Sequence, residues 1–190
     1  MRIMRTVIAF NAAASLLSLA VAAQSAWSYP VPERWEQASP STSPAPRDAH
    51  RMATDLATHH VVMFGGWNGS AYLGDTWEYD GVSWTENVQP GPRARALQGL
   101  AYDEARGVIL LFGGVFAPGQ FGYLGDTWQY ANGVWTQRSS AAFPPRRFDH
   151  GMVYDRKRGR IVMFGGRGSS GASLMADTWQ WDGSSWTRPL

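Results

Sequence analysis

From residue 47 onward, short apolar runs alternate with clusters of Gly, Asp, Ser and Pro. Over His50–Thr54 apolar and small positions alternate, the pattern of a strand with one buried face. Val61–Phe64 is apolar at every position, as on a strand buried on both faces. Thr76–Tyr79 and Ser83–Glu86 are two further short segments carrying aromatics and β-branched residues. Turn signals separate the four at Thr58-His59, in the Gly-bearing stretch after Gly66, and at Asp80-Gly81, which has the composition of a tight hairpin. No stretch after residue 26 carries a helical period, so the pattern predicts an all-β chain.

The same four-segment pattern occurs three times. RDAHRMATD (47–55), VVMFGG (61–66) and LGDTWEYDGVSWT (73–85) correspond to RALQGLAYD (95–103), ILLFGG (109–114) and LGDTWQYANGVWT (124–136). They correspond again to RFDHGMVYD (147–155), IVMFGG (161–166) and MADTWQWDGSSWT (175–187). Asp75, Asp126 and Asp177 are 51 residues apart each time, as are Trp84, Trp135 and Trp186. The glycine pairs Gly65-Gly66, Gly113-Gly114 and Gly165-Gly166 drift, with spacings of 48 and 52. The added length therefore lies between the glycines and the Asp-Thr-Trp, where a surface loop tolerates it.

Four strands in a unit of about 50 residues is the propeller-blade pattern at the kelch period. The glycine pair after an apolar strand, then Trp77/Tyr79 and Trp84, resembles a kelch repeat, as do Trp128/Tyr130 with Trp135 and Trp179/Trp181 with Trp186. The resemblance covers residues 47–187. It implies a kelch-type β-propeller array of the kind found in the central domain of galactose oxidase, with three four-stranded blades over 47–90, 91–140 and 141–190. It implies that the Arg-bearing strand is innermost and the Trp84-type strand outermost. The glycines would supply backbone freedom where a side chain would clash, and Trp77, Trp128 and Trp179 would fill the space between sheets. The galactose oxidase copper site requires a cysteine cross-linked to a tyrosine; this chain has no cysteine, so that activity is not implied.

The N-terminal 46 residues read differently. Arg2 and Arg5 precede an apolar, small-residue stretch from Val7 to Ala23, the pattern of a signal peptide cleaved after Ala23, with Ala22 and Ala26 as alternative sites. The expectation is a secreted or periplasmic protein. Residues 24–46 are rich in Pro and Ser, yet RWEQ (34–37) resembles the last strand of a blade, so Trp35 is expected on one extra strand of a preceding blade. Three blades and one strand do not close a ring comfortably, since closed propellers have four to eight blades. A longer gene product, a homodimer completing six blades, and an open array all satisfy the pattern.

Composition narrows the function classes. Aromatics make up 13% of residues, with ten Trp, against 17% charged, which favours a folded core over disorder. The leader takes two of the 17 Lys and Arg, leaving 15 against 15 Asp and Glu. That balance, with no basic tract, gives no case for nucleic acid or an anionic membrane. The absence of cysteine excludes disulfides and thiolate zinc sites.

Candidate chemistry falls at repeated and unrepeated positions. Arg47, Arg95 and Arg147 either ring the channel mouth and bind anionic or hydroxyl-rich ligands, or pair with Asp75, Asp126 and Asp177. The three Asp are expected to cap turns. His50, Gln98 and His150 share a position; a Gln among them argues against a metal and for hydrogen bonding. His59 and His60 are expected in a solvated turn. Trp67, Tyr72, Phe116, Phe121, Tyr123 and Arg167 fall in the variable loops and are the candidates for stacking on a sugar or a partner. No nucleophile–base order, phosphate loop, cofactor motif or metal motif is present. The expected function is an exported, non-enzymatic binding module for a glycan or a protein; a sugar-acting propeller enzyme and a structural fragment of a larger propeller are the alternatives.

Overall fold

The structure, a computed structural model, describes residues 36–117, 122–168 and 173–189. The expected leader and Trp35 lie outside them, and Glu36 and Gln37 carry no strand. The described residues from Ser39 onward form one compact unit.

The twelve strands are β1 (Arg51–Asp55), β2 (His60–Trp67), β3 (Tyr72–Tyr79), β4 (Trp84–Asn87), β5 (Gly99–Asp103), β6 (Val108–Val115), β7 (Tyr123–Ala131), β8 (Val134–Arg138), β9 (Gly151–Asp155), β10 (Arg160–Phe164), β11 (Thr178–Trp181) and β12 (Trp186–Thr187). They form three four-stranded antiparallel meanders, β1–β4, β5–β8 and β9–β12. Hairpin turns explain the sequential order: Asp80 and Asp182 each accept backbone N–H bonds from the residues two and three positions on, which sets the turn before the last strand. The inner strands β1, β5 and β9 pack side by side in chain order.

Each sheet buries one face on its neighbour. Val62 and Phe64 of the first sheet pack with Leu100, Ile109, Leu111, Tyr130 and Trp135 of the second. Ala101, Leu110 and Phe112 on the second sheet's other face pack with Ile161, Met163, Trp181 and Trp186 of the third. Strand β6 is therefore sandwiched, which is why its sequence is apolar at consecutive positions.

The tryptophans divide labour differently from the expectation. Trp135 and Trp186, on the last strand of their sheets, are 6% and 1% exposed and fill the junctions. Each meets a phenylalanine of the preceding sheet edge-on: Phe64–Trp135 at 5.2 Å and Phe112–Trp186 at 5.3 Å. Their indole N–H groups donate to Thr76 and Thr127 of that sheet, both at 2.9 Å. Trp77, Trp128 and Trp179 are half-buried; Trp128 and Trp179 border the two junction clusters, and each indole donates to Asp75, Asp126 or Asp177 of its own sheet at 2.7 Å.

Candidate functional site

The three repeated arginines are built into the fold. Arg95 donates from Nε to the Arg93 carbonyl, from Nη1 to Gly113 O and Asp126 Oδ1, and from Nη2 to Asp126 Oδ2, with distances of 2.6–3.0 Å. Four of its five N–H donors are thus used. Arg47 repeats the set with Ala45, Gly65 and Asp75, and Arg147 with Pro145, Gly165 and Asp177. The side chains of Arg95 and Arg147 are fully buried and that of Arg47 is 4% exposed. A ligand at the channel mouth has no guanidinium left to meet, so the pairing alternative describes these residues. The acidic partners lie on or beside strands and receive arginine and indole donors, so turn capping does not describe them. The Arg147 hydrogen bonds hold the Asp177 carboxyl down at about 2. Burial works against ionisation of Asp75 and Asp126, but the arginine and indole donors outweigh it and keep both below the usual carboxylate range.

The arginine main chain does a second job. Arg95 N–H donates to Leu73 O and Arg95 O accepts from Gly66 N–H, both at 2.9 Å. Arg147 makes the same pair with Leu124 O and Gly114 N–H. Side chain bound to its own sheet, main chain bound to the one before, Arg95 and Arg147 each join two sheets. The close approach explains the glycine. A Cβ on Gly65 would stand 2.4 Å from Arg95 O, and one on Gly113 2.5 Å from Arg147 O, at φ of +67° and +65°.

A main-chain belt runs beneath this brace. Leu97 N–H donates to Ala49 O and Asp149 N–H to Leu97 O, each at 2.9 Å. Ala49, Leu97 and Asp149 all adopt the left-handed region, with φ of 53°, 56° and 56°. Asp149 lies 3.7 Å from Arg51 and 4.0 Å from Arg167.

Beside the belt, Gln98 donates to Phe64 O at 2.8 Å, across the first junction. His150, its counterpart, is 6% exposed and neither ring nitrogen finds a partner among the described residues. Burial, reinforced by Arg147 and Arg51, lowers its pKa from 6.5 to about 3. The unfolded chain therefore binds a proton that the folded chain refuses between pH 6.5 and 3, and stability falls as pH drops through that window. Between pH 7 and pH 4 the expected loss from this group is about 3 kcal/mol. His150→Gln, which copies the middle sheet, removes the loss; urea unfolding of both chains at pH 7 and pH 4 reads it. Equal pH dependence in the two would overturn the assignment. The depressed carboxylates, Asp177 among them, begin to lose their contribution as pH nears the unfolded value of 3.8, but they are common to both chains and cancel in the comparison.

The remaining aromatic candidates gather at the end of the sheets formed by the β2–β3 and β6–β7 connections. The strands reach further into these connections than the sequence indicated: Trp67 pairs with Tyr72 and Val115 with Tyr123 across the ladders. Trp67 and Tyr72 are half-buried and meet edge-on at 4.8 Å. Phe116 is half-buried with the Arg93 guanidinium 3.5 Å above its ring. Tyr123 is 8% exposed and stacks on Phe148 at 5.0 Å, in a cluster with Ala96 and Val115. That packing withdraws Tyr123 from the ligand-facing set. Phe121 lies outside the described residues.

Two open pockets lie elsewhere. One, about 390 Å³, is lined by His60, Glu78, Thr85 and Asn87. His60 begins β2 and meets Glu78 at 3.1 Å, contrary to the solvated turn expected for it; His59 keeps the exposed turn position. Burial opposes ionisation of Glu78, but bonds from Tyr130, His60 and Asn87 outweigh it and lower its pKa. The second pocket, about 590 Å³, is lined by Gln137, Arg138, Phe143 and Arg146. Among the described residues no group of three His, Asp or Glu is arranged to hold a metal ion, and no helix is long and apolar enough to cross a membrane.

No family model matches the chain. Among curated proteins it is similar to Mei4-dependent protein 6 of Schizosaccharomyces pombe, with 28% identity over 134 residues, 63% of this chain and 19% of that protein. The chain thus spans about a fifth of that relative's length.

Proposed function

We propose that this chain is an exported kelch-type β-propeller module that binds a glycan without transforming it. The supporting observation is the placement of Trp67 edge-on to Tyr72, and of Phe116 beneath Arg93, on the matching connections of neighbouring sheets. Half-exposed rings flanked by a guanidinium suit a sugar, whose C–H faces stack on aromatics while its hydroxyls take hydrogen bonds. Ligand recognition at connections held by a rigid scaffold is the common arrangement in repeat proteins. The arginines, aspartates and inner histidine are committed to structure, which leaves this aromatic end as the ligand-facing chemistry.

The test is a panel of neutral oligosaccharides (cello-, xylo- and chito-oligomers) scored by intrinsic tryptophan fluorescence and by thermal shift. At least one oligomer should raise the melting temperature and shift the emission. Trp67→Ala should weaken that binding by at least about tenfold, the size of one hot-spot contact, with unchanged far-ultraviolet circular dichroism. No response across the panel, or binding indifferent to both Trp67→Ala and Phe116→Ala, would overturn the reading.

A further inference from the structure

The two junctions inside the array are built alike, and the array ends carry the two halves of a third. At each junction the earlier sheet supplies a Phe, a Thr and a backbone carbonyl from the belt. The later sheet supplies a Trp and a belt N–H. The set is Phe64, Thr76 and Ala49 O against Trp135 and Leu97 N, then Phe112, Thr127 and Leu97 O against Trp186 and Asp149 N. The third sheet carries the earlier half unused: Phe164, Thr178 and Asp149 O. The first sheet carries the later half unused: Trp84 and Ala49 N.

Exposure at equivalent positions shows the difference. Phe64 and Phe112 are 0% exposed, whereas Phe164 is 57% exposed. Ala101 is 7% exposed and its counterpart Val153 is 63% exposed. On the other end Leu100 is 8% exposed and its counterpart Met52 is 52% exposed; Trp84 is half-exposed where Trp135 and Trp186 are buried. Among the described residues neither the Trp84 indole N–H nor the Thr178 hydroxyl has a hydrogen-bond partner. The polar rim matches too: Tyr130 meets Glu78 across the first junction, and Tyr79 stands at the position that would face Gln180.

We propose that a second copy of this chain docks head-to-tail here, its first sheet on the third sheet of the first copy and the reverse, closing a ring of six sheets. Trp84 of one copy packs edge-on against Phe164 of the other and donates its N–H to Thr178. The Asp149 carbonyl accepts from the Ala49 N–H of the other copy, continuing the belt. Each contact is head-to-tail and the two contacts are related by a two-fold axis; two copies close the ring because six sheets fall within the four to eight that form closed propellers. This reading is independent of the ligand proposed above.

Light scattering coupled to size exclusion on the full chain reads the outcome. The expected mass is twice that of one chain, and Phe164→Glu, on an exposed position, should weaken association by at least about a hundredfold and give single chains with unchanged circular dichroism. A single-chain mass for the parent would overturn the proposal. A second variant fixes the geometry. A Cβ on Gly99 would lie 2.2 Å from the Met152 sulfur across an internal junction; Gly151 and Met52 hold the same positions at the free ends. Since the chain has no cysteine, the double variant Gly151→Cys, Met52→Cys should oxidise to a cross-linked dimer on a non-reducing gel. Monomer alone, or a ladder of higher multiples, would overturn the closed pair.

Discussion

Arg95→Met should destabilise the folded chain by about 3–5 kcal/mol, the range for removing one partner of a buried ion pair. The methionine fills much of the volume but leaves Asp126 facing no cation and Gly113 O facing no donor. Asp126 is 22% exposed, so water relieves part of the penalty and the lower half of that range is expected. The double variant Arg95→Met, Asp126→Leu should recover most of the loss, because the isolated charge goes with its partner. Arg47→Met should cost less, since the Arg47 Nε bond to the Ala45 carbonyl is exposed and water can replace part of what is lost. Urea unfolding of the four chains measures all of this. An Arg95→Met loss under about 1 kcal/mol would show that the brace contributes little net stability.

Trp186→Ala should cost about 3–5 kcal/mol, the range for emptying a core site of a large aromatic. The indole is 1% exposed, lies edge-on to Phe112 and is bonded through Nε1 to Thr127. Trp186→Phe keeps a ring in the junction and should lose about 1 kcal/mol for the hydrogen bond in addition to the smaller area. If Trp186→Ala unfolds at the same urea concentration as the parent, the junction does not depend on the ring and the packing described for the other is wrong as well.

The repeat made the strands and their order readable, because a period-two pattern recurring in register admits few alternatives. The double glycine pointed to a close approach but not to its other side, which is the carbonyl of an arginine about 30 residues later. The sequence suggested that the tryptophan two residues after Asp spans the gap between sheets; only three dimensions show that its indole N–H is held by its own strand's Asp, while the last-strand tryptophan reaches the preceding sheet. The aspartates resembled turn caps because a short acidic side chain commonly caps a turn; their real partner is 28 to 31 residues distant in the chain and no local pattern reveals it. The aromatic end was located by loop-length variation, but the ladders extend into it, so Tyr123 packs where a contact residue was expected.

The unlike halves of each junction give the array a direction, and that direction matches the order of translation. A ribosome releases the Phe64–Thr76 side before the Trp135 ring that settles on it, and the Phe112–Thr127 side before Trp186. Each finished sheet therefore presents a formed surface on which its successor can settle as it emerges.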